Sequence, residues 1–165
     1  MCLYQCMSAL DETAMLAMTR RWFTSGLVAL PITSSANAAA PVFEVWKMRG
    51  CACCTAWARH FQSAGFDVLL HEVDDLGPVR AAAGVPDDLG GCHTANVTGY
   101  VVEGHVPLAA VLRMRAEQPD IIGLAVPGMP MNSPGMEIDG AQPEPFDVIA
   151  FAADGSRSVY MEVRP

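Results

Sequence analysis

The chain has 165 residues, a hydrophobic fraction of 52% and a formal net charge of −8. This length suits one domain, and the apolar content is enough to build a core. An acidic chain without a basic patch argues against nucleic acid as a partner. An acidic surface would suit the collection of small cations, but solubility is the simpler explanation of the charge.

Residues 1–38 are predicted to be an N-terminal extension with an export signal. From Met18 the sequence reads MTRRWFTSGLVALPITSSANAAAP, in which Arg20 and Arg21 precede a short apolar run and ANA fits a cleavage site. The stretch TRRWF also resembles a twin-arginine export signal. We therefore expect the true start at Met18 and a periplasmic domain over residues 39–165. The apolar run is too short to span a bilayer, and a retained membrane anchor is the alternative.

The exported part predicts an α/β domain with elements in a regular order. The chain reads as a strand (VFEVWKM), a helix ending at Gly65, a strand (FDVLLHEV), a short helix broken at Gly84, two strands around Gly99 and a helix from Pro107 to Gln118. A loop rich in Met, Gly and Pro follows (VPGMPMNSPGMEIDGAQPEP), and FDVIAFAADGSRSVYMEV predicts a C-terminal β-hairpin turning at Asp154–Gly155. This order fits a thioredoxin-like domain.

Three cysteines follow the first predicted strand in the run CACC. Cys51 and Cys54 form a CxxC pair at a predicted helix N-terminus, where the helix dipole and free N–H groups stabilise thiolates. Thiolate is both the nucleophile of disulfide exchange and a metal ligand, so this pair alone does not separate the two functions. Cys53 favours metal, because a thiol–disulfide enzyme has no need of it, whereas bridging thiolates can join several Cu(I) ions.

The run GCHTA contains a fourth cysteine, Cys92, followed by His93. In thioredoxin-like enzymes a proline facing the CxxC pair begins the corresponding strand and is usually followed by threonine. If Thr94 is that threonine, Cys92 and His93 lie against the cysteine run. Cys92 is then a candidate ligand, with a structural disulfide as the alternative, and His93 is a candidate ligand or proton partner. Zinc is less favoured, because structural zinc sites show two separated Cys/His pairs.

Three methionines of the Gly- and Pro-rich loop, Met129, Met131 and Met136, are further candidate ligands. Thioether sulfur is a soft ligand suited to Cu(I) and forms no disulfide in an oxidising compartment. Packing is the alternative, since methionine fills irregular gaps well. The remaining histidines are predicted to be surface or packing residues: His60, His71 and His105.

The stretch from about Val42 to Tyr160 resembles the CopG-type periplasmic copper-resistance proteins, a thioredoxin-like bacterial family. The resemblance is carried, in order, by CACC, HEVDDL, GVPDDLGGCHTA, GYVVEGHVP, IIGLAVPGMPMNSPGME and PFDVIAFAADG. It implies export and copper bound by the cysteines of the CxCC motif and a distal cysteine, some members binding a cluster of Cu(I) ions. Those positions match the following residues here: Cys51, Cys53, Cys54 and Cys92. A copper redox role is also implied.

The sequence thus predicts a periplasmic copper-binding protein for copper resistance or homeostasis, with one or more Cu(I) ions as its cargo. Its expected partners are copper ions and other periplasmic copper-handling proteins, and no membrane span is expected in the mature form. An oxidoreductase, with Cys51 as nucleophile and Cys54 resolving, is the second reading. A metallochaperone that hands copper to a partner is the third.

Overall fold

The structure is a computed structural model that describes residues 41–164. Its elements in chain order are β1 (Val42–Met48), α1 (Ala52–Ser63), β2 (Asp67–Val73), α2 (Gly77–Ala83), a 3-10 turn (Asp87–Leu89), β3 (His93–Val97), β4 (Tyr100–Gly104), α3 (Leu108–Glu117), β5 (Gly123–Val126), β6 (Phe146–Phe151) and β7 (Arg157–Val163). The predicted export signal and the start at Met18 lie outside the described residues. No helix over residues 41–164 is long and apolar enough to cross a membrane.

All seven strands belong to one mixed sheet in the order β2-β1-β3-β4-β5-β6-β7. β1 is parallel to β2 and antiparallel to β3, and β3 is antiparallel to β4. β5 is parallel to β4, and β6 and β7 continue the sheet in antiparallel fashion. The α/β class is therefore confirmed. The first seven main elements follow the predicted order, and their assignment to the thioredoxin type stays a prediction that this order supports.

Successive strand residues point to opposite sides of the sheet, so apolar side chains can pack on both faces. Helices cover both of these faces. On one face, Phe43 of β1 and Val102 of β4 pack with Trp57 of α1 and Met114 of α3. On the other face a smaller apolar cluster surrounds Leu89 of the 3-10 turn. The larger layer therefore holds α1, and with it the cysteine run, firmly against the sheet.

Aromatic side chains form the centre of the larger layer. The rings of Phe43 and Phe61 stack with centroids 4.6 Å apart, and those of Trp57 and Phe61 are 4.5 Å apart. The Trp57 indole donates a hydrogen bond to the Val106 carbonyl, 2.9 Å away. Offset and tilted aromatic pairs of this kind add about 0.5–1.5 kcal/mol each to simple burial. They fix the rotation of α1 about its own axis.

Two elements were not predicted from the sequence, β5 and the 3-10 turn. β5 is a four-residue apolar run, GLAV, buried along its whole length between β4 and β6. A short run without alternation carries no periodic signal that separates a strand from other buried structure. The predicted hairpin is confirmed: Gly155 donates to the Ala152 carbonyl at 3.0 Å, and β6 and β7 flank the turn.

Gly104 ends β4 at a close crossing of backbones that only glycine permits. Its φ is +70°, and an added Cβ would lie 2.5 Å from the Val126 carbonyl oxygen. A Cβ added at Gly91 would in turn lie 2.6 Å from the Gly104 Cα atom. The segment that leads into Cys92 therefore rests directly on the end of β4.

We expect Gly104→Ala to lower the free energy of unfolding by about 3–5 kcal/mol, because left-handed strain and backbone overlap add. Gly99→Ala is the matched control: its φ is +91°, but no atom lies within 4 Å of an added Cβ. It should cost only about 1–2 kcal/mol of strain. Urea unfolding of both variants measures the difference, and equal losses would contradict the close crossing at Gly104.

Candidate metal centre

The cysteine run lies where β1 passes into α1, as predicted. Cys51 is the N-cap of α1, and its sulfur lies 3.4 Å from the backbone nitrogen of Cys54, which donates to it. The first turn of α1 contains no acidic residue that would offset the positive end of the helix dipole. The N-terminus of α1 therefore favours negative charge on these sulfur atoms.

The fold brings four sulfur atoms together. The Cys53 sulfur lies 3.4 Å from that of Cys51 and 4.0 Å from that of Cys92, and all four sulfur atoms, including that of Cys54, lie within 4.8 Å of one another. Sulfur binds a metal such as zinc at about 2.3 Å, so two sulfur atoms 4.0 Å apart can reach one ion together. We call these four residues the sulfur group.

The sulfur group is partly oxidised in the structure. Cys51 and Cys54 form a disulfide, while Cys53 and Cys92 are free thiols. A disulfide sulfur carries no thiolate charge, so this state offers two thiols rather than four. Reduction by a dithiol breaks the Cys51–Cys54 bond, takes up two electrons and two protons, and returns two thiols while the reductant becomes a disulfide.

A buried carboxylate holds the segment that carries Cys92. The Glu103 side chain is fully buried, and its Oε1 atom accepts hydrogen bonds from Arg80 Nε at 2.8 Å and from the Gly91 backbone nitrogen at 2.7 Å. Its Oε2 atom accepts from Thr94 Oγ1 at 2.6 Å. Arg80 also donates to the Gly91 carbonyl. Glu103 thus binds both sides of Cys92 and fixes its position.

The thiol of Cys92 resists ionisation. Burial, followed by the neighbouring Cys53 thiol and its hydrogen bond, raises the pKa of Cys92 to about 11. Arg80 works in the opposite direction, and Glu103 adds to the rise. At neutral pH the free Cys92 is therefore a thiol, and it can become a thiolate ligand only by releasing a proton to solvent.

Comparison with known proteins agrees with this geometry. A family model described as "Protein of unknown function, DUF411" matches residues 89–136, and no curated protein matches the chain. Two solved structures, titled "Copper resistance protein copG- Form 2" and "Form 1", share 39% and 40% identity, with TM-scores of 0.72 and 0.71. They cover 76% and 75% of this chain and 99% and 98% of their own length.

The chain belongs to the CopG family of copper-resistance proteins. The segment matched by the family model contains Cys92 and His93 and ends at Met136. Met136 lies in the loop rich in Met, Gly and Pro between β5 and β6, residues 127–145, which we call the methionine loop. The CxCC run and α1 lie outside that segment. The two solved structures, which extend over three quarters of the chain, carry the family assignment.

The methionine loop lies against the beginning of α1. A Cβ added at Gly135, whose φ is +87°, would lie 2.6 Å from the Trp57 nitrogen and 2.7 Å from the Cys53 carbonyl oxygen. Met129 and Met131 are exposed, and Met136 is half-buried. The loop is therefore a neighbour of the sulfur group, and the role of its three thioethers as ligands stays a prediction.

His93 lies beside the sulfur group in sequence but is not one of its members. Its ring contacts Trp57, with centroids 4.1 Å apart, and is completely buried. The group whose ligand atoms lie within 4.8 Å of one another contains the four cysteines alone. Direct ligation by His93 alongside those sulfur atoms therefore stays a prediction.

His105 is more deeply buried than the other two histidines that were predicted to be surface or packing residues. His60 and His71 have half-exposed side chains, as predicted, whereas His105 is completely buried. Its Nδ1 atom lies 2.7 Å from the Pro134 carbonyl oxygen of the methionine loop. A sequence pattern of strand followed by turn, as in VEGHVP, does not indicate that a loop thirty residues later will close over the ring.

Sequence reasoning missed Glu103 and Arg80. A charged residue inside the apolar run YVVEG was the available signal, because an inward carboxylate in a strand needs a partner. The partner, Arg80, lies 23 residues earlier in the chain, within α2. Only the packing of α2 against the sheet shows that the two side chains meet and that both bind the Gly91 backbone.

We expect Glu103→Gln to lower the free energy of unfolding by about 2 kcal/mol or more, since it leaves Arg80 without its buried counter-charge. Cys92 should also react faster with an alkylating agent, because the residues flanking it lose their anchor. Glu117→Gln is the control: Glu117 pairs with Arg113 on an exposed helix surface, and its loss should leave the free energy of unfolding nearly unchanged, because solvent screens exposed pairs. Unchanged Cys92 alkylation in a folded Glu103→Gln protein would contradict this role.

Proposed function

We propose that this chain is an exported, periplasmic copper-binding protein that serves copper resistance. Its ligands are the thiolates of the sulfur group, which bind Cu(I) and bridge more than one ion. The leader over residues 1–38 directs export, and the domain over residues 39–165 binds the metal.

The convergence of four sulfur atoms is the observation that carries the proposal. Thiolates are soft ligands that select Cu(I), zinc or iron–sulfur clusters, so the sulfur group alone supports a soft metal. Copper is supported by the family, whose solved members are named for copper resistance. A bridged cluster is supported by Cys53, which lies between Cys51 and Cys92 and can be shared.

An oxidising compartment agrees with the disulfide between Cys51 and Cys54, because such bonds are rare in the cytosol. The copper-binding state is the reduced one, in which all four thiols are available. Since α1 and the Cys92 segment are held by packing and by Glu103, reduction frees the sulfur atoms without a large rearrangement. Copper then binds as the four thiols release their protons.

The first test counts copper in the full chain with Cys2 and Cys6 replaced by serine, so that leader cysteines do not contribute. After reduction and anaerobic loading with Cu(I), we expect more than one tightly held copper per chain and protection of all four thiols. Cys53→Ser and Cys92→Ser should each lower the bound copper. Zinc loaded in the same way is the control for metal preference. No retained copper would overturn the proposal.

The affinity for Cu(I) should fall as the pH falls. Cys92, with its pKa near 11, must lose a proton to bind over the whole range from pH 6 to pH 9, so it contributes about a tenfold change in affinity per pH unit. Competition with a chromophoric Cu(I) chelator measures this slope. Cys92→Ser should reduce the slope by about one proton, and an unchanged slope would exclude Cys92 as a ligand.

The disulfide also favours a second function, thiol–disulfide or copper-coupled oxidoreduction. In the thiol reaction a reduced Cys51 thiolate attacks a substrate disulfide, and the Cys54 thiolate then releases the reduced substrate and restores the Cys51–Cys54 bond. This activity would survive Cys53→Ser and Cys92→Ser, both of which should impair copper binding. Dithiol turnover assayed on those two variants separates the functions.

A further inference from the structure

The rings of His93 and His105 form a buried pair that the sulfur group does not include. Both side chains are fully buried, and their ring centroids lie 5.2 Å apart at an interplanar angle of 77°. His93 begins β3 and His105 follows β4, the strand next to it in the sheet. The sheet and the methionine loop therefore enclose the two rings together.

The tautomer of His105 follows from its one hydrogen bond. The Pro134 carbonyl can only accept, so Nδ1 carries the proton and donates across the 2.7 Å contact. Burial lowers the pKa of His105, so the ring is neutral and Nε2 holds an unshared lone pair. Nε2 is buried and has no hydrogen-bond partner among the described residues.

His93 presents a similar case. Neither of its ring nitrogens makes a hydrogen bond of good geometry in the part of the chain that the structure describes, although the Gly104 backbone lies near the ring. The ring of His93 is completely buried, as that of His105 is. Ser133, which precedes Pro134 in the methionine loop, adds a buried hydroxyl that likewise lacks a partner.

Buried polar atoms without a hydrogen-bond partner lower the stability of the folded state. Each buried donor or acceptor left unsatisfied costs about 1–3 kcal/mol, and most such groups in folded proteins have a partner. Packing alone would be served better by leucine or phenylalanine beside Trp57. The pair therefore indicates a ligand that accepts neutral imidazole lone pairs.

The arrangement of His105 is the one that metal-bound histidines adopt. A ligating imidazole almost always donates its other N–H to a backbone carbonyl or carboxylate, which fixes the ring and raises the basicity of the ligating nitrogen. Neutral imidazole suits copper. An ion held at about 2.0–2.1 Å by one nitrogen of each ring is compatible with a centroid separation of this size.

We propose that His93 and His105 form a nitrogen-donor copper site, separate from the sulfur group and covered by the methionine loop. The identity of the metal rests on the proposed function above. The position would allow copper to move between this site and the sulfur group. His93 follows Cys92 directly, and Gly135 of the covering loop lies against the Cys53 carbonyl. Copper held there occupies a site lined by neutral imidazoles, whereas copper held by the sulfur group is bound by thiolates.

The test uses the full chain with Cys2 and Cys6 replaced by serine, reduced and saturated with Cu(I). Copper per chain is measured together with X-ray absorption at the copper edge, where imidazole gives multiple scattering from its outer ring atoms. We expect both sulfur and imidazole around copper in the parent protein. His105→Asn keeps an N–H donor for the Pro134 carbonyl and removes Nε2 with the rest of the ring, so it should lose about one copper and the imidazole signal while thiolate-bound copper remains.

Two further variants separate ligation from structure. His93→Leu keeps an apolar side chain beside Trp57 and removes at most a weak contact with the Gly104 backbone, so it should change stability little and still lose the same copper as His105→Asn. His60→Asn is the control, because it removes the 3.0 Å contact between His60 of α1 and Glu137 of the methionine loop without touching the buried rings. It should keep both the copper and the imidazole signal.

Copper surrounded by sulfur alone in the parent protein would overturn the histidine site and leave the proposed function standing. The same conclusion follows if His93→Leu retains all copper, or if it loses stability instead of copper; a bridging water would then be the partner of the rings. Failure of every variant, including the parent, to retain copper would instead overturn the proposed function.

Discussion

The buried carboxylate of Glu103 is the interaction on which the site depends. It lies on β4 and accepts hydrogen bonds from three donors, two of which flank Cys92 on the chain. Without it, Cys92 would belong to an irregular segment between the 3-10 turn and β3. With it, that segment is fixed to the sheet at a point set by strand pairing. The sulfur of Cys92 therefore lies next to the cysteine run because strand pairing and the Glu103 carboxylate hold its segment in place.

Two opposing electrostatic effects meet at the sulfur group. The N-terminus of α1 favours thiolates at the cysteine run, whereas burial near Cys53 and Glu103 raises the pKa of Cys92. A nucleophile for rapid disulfide exchange benefits from ionisation at neutral pH, which the helix end favours. Cys92 is not suited to that role, because burial disfavours its thiolate form. A bound metal cation would offset this penalty by placing a positive charge next to the thiolate. The contrast favours binding over exchange as the role of Cys92.

Much of the fold could be predicted, because most elements carry strong local signals. β1 alternates between buried and partly exposed residues, α1 follows a glycine, and the hairpin turns at Asp154–Gly155. β5 lacks such a signal. Its four apolar residues form a strand only because β4 and β6 lie on either side of them. Cys51, Cys53 and Cys54 could be named from their spacing, and Cys92 from the thioredoxin-like register of GCHTA and the family resemblance. Glu103, Arg80 and the burial of His105 could not, because each depends on contacts between segments far apart in the chain.

The methionine loop contributes to the site through its backbone as well as through its side chains. Gly135 lies on the first turn of α1, and the Pro134 carbonyl orients the buried ring of His105. Asn132 ties the loop internally, accepting from the Ile138 nitrogen at 2.7 Å and donating to the Ala141 carbonyl at 2.8 Å. A loop held in this way covers the imidazole pair and at the same time presents Met129 and Met131 to solvent. Exposed thioethers, half-buried thiols and fully buried imidazoles thus lie in and around one loop and the strands beneath it, and all three are ligands that copper accepts.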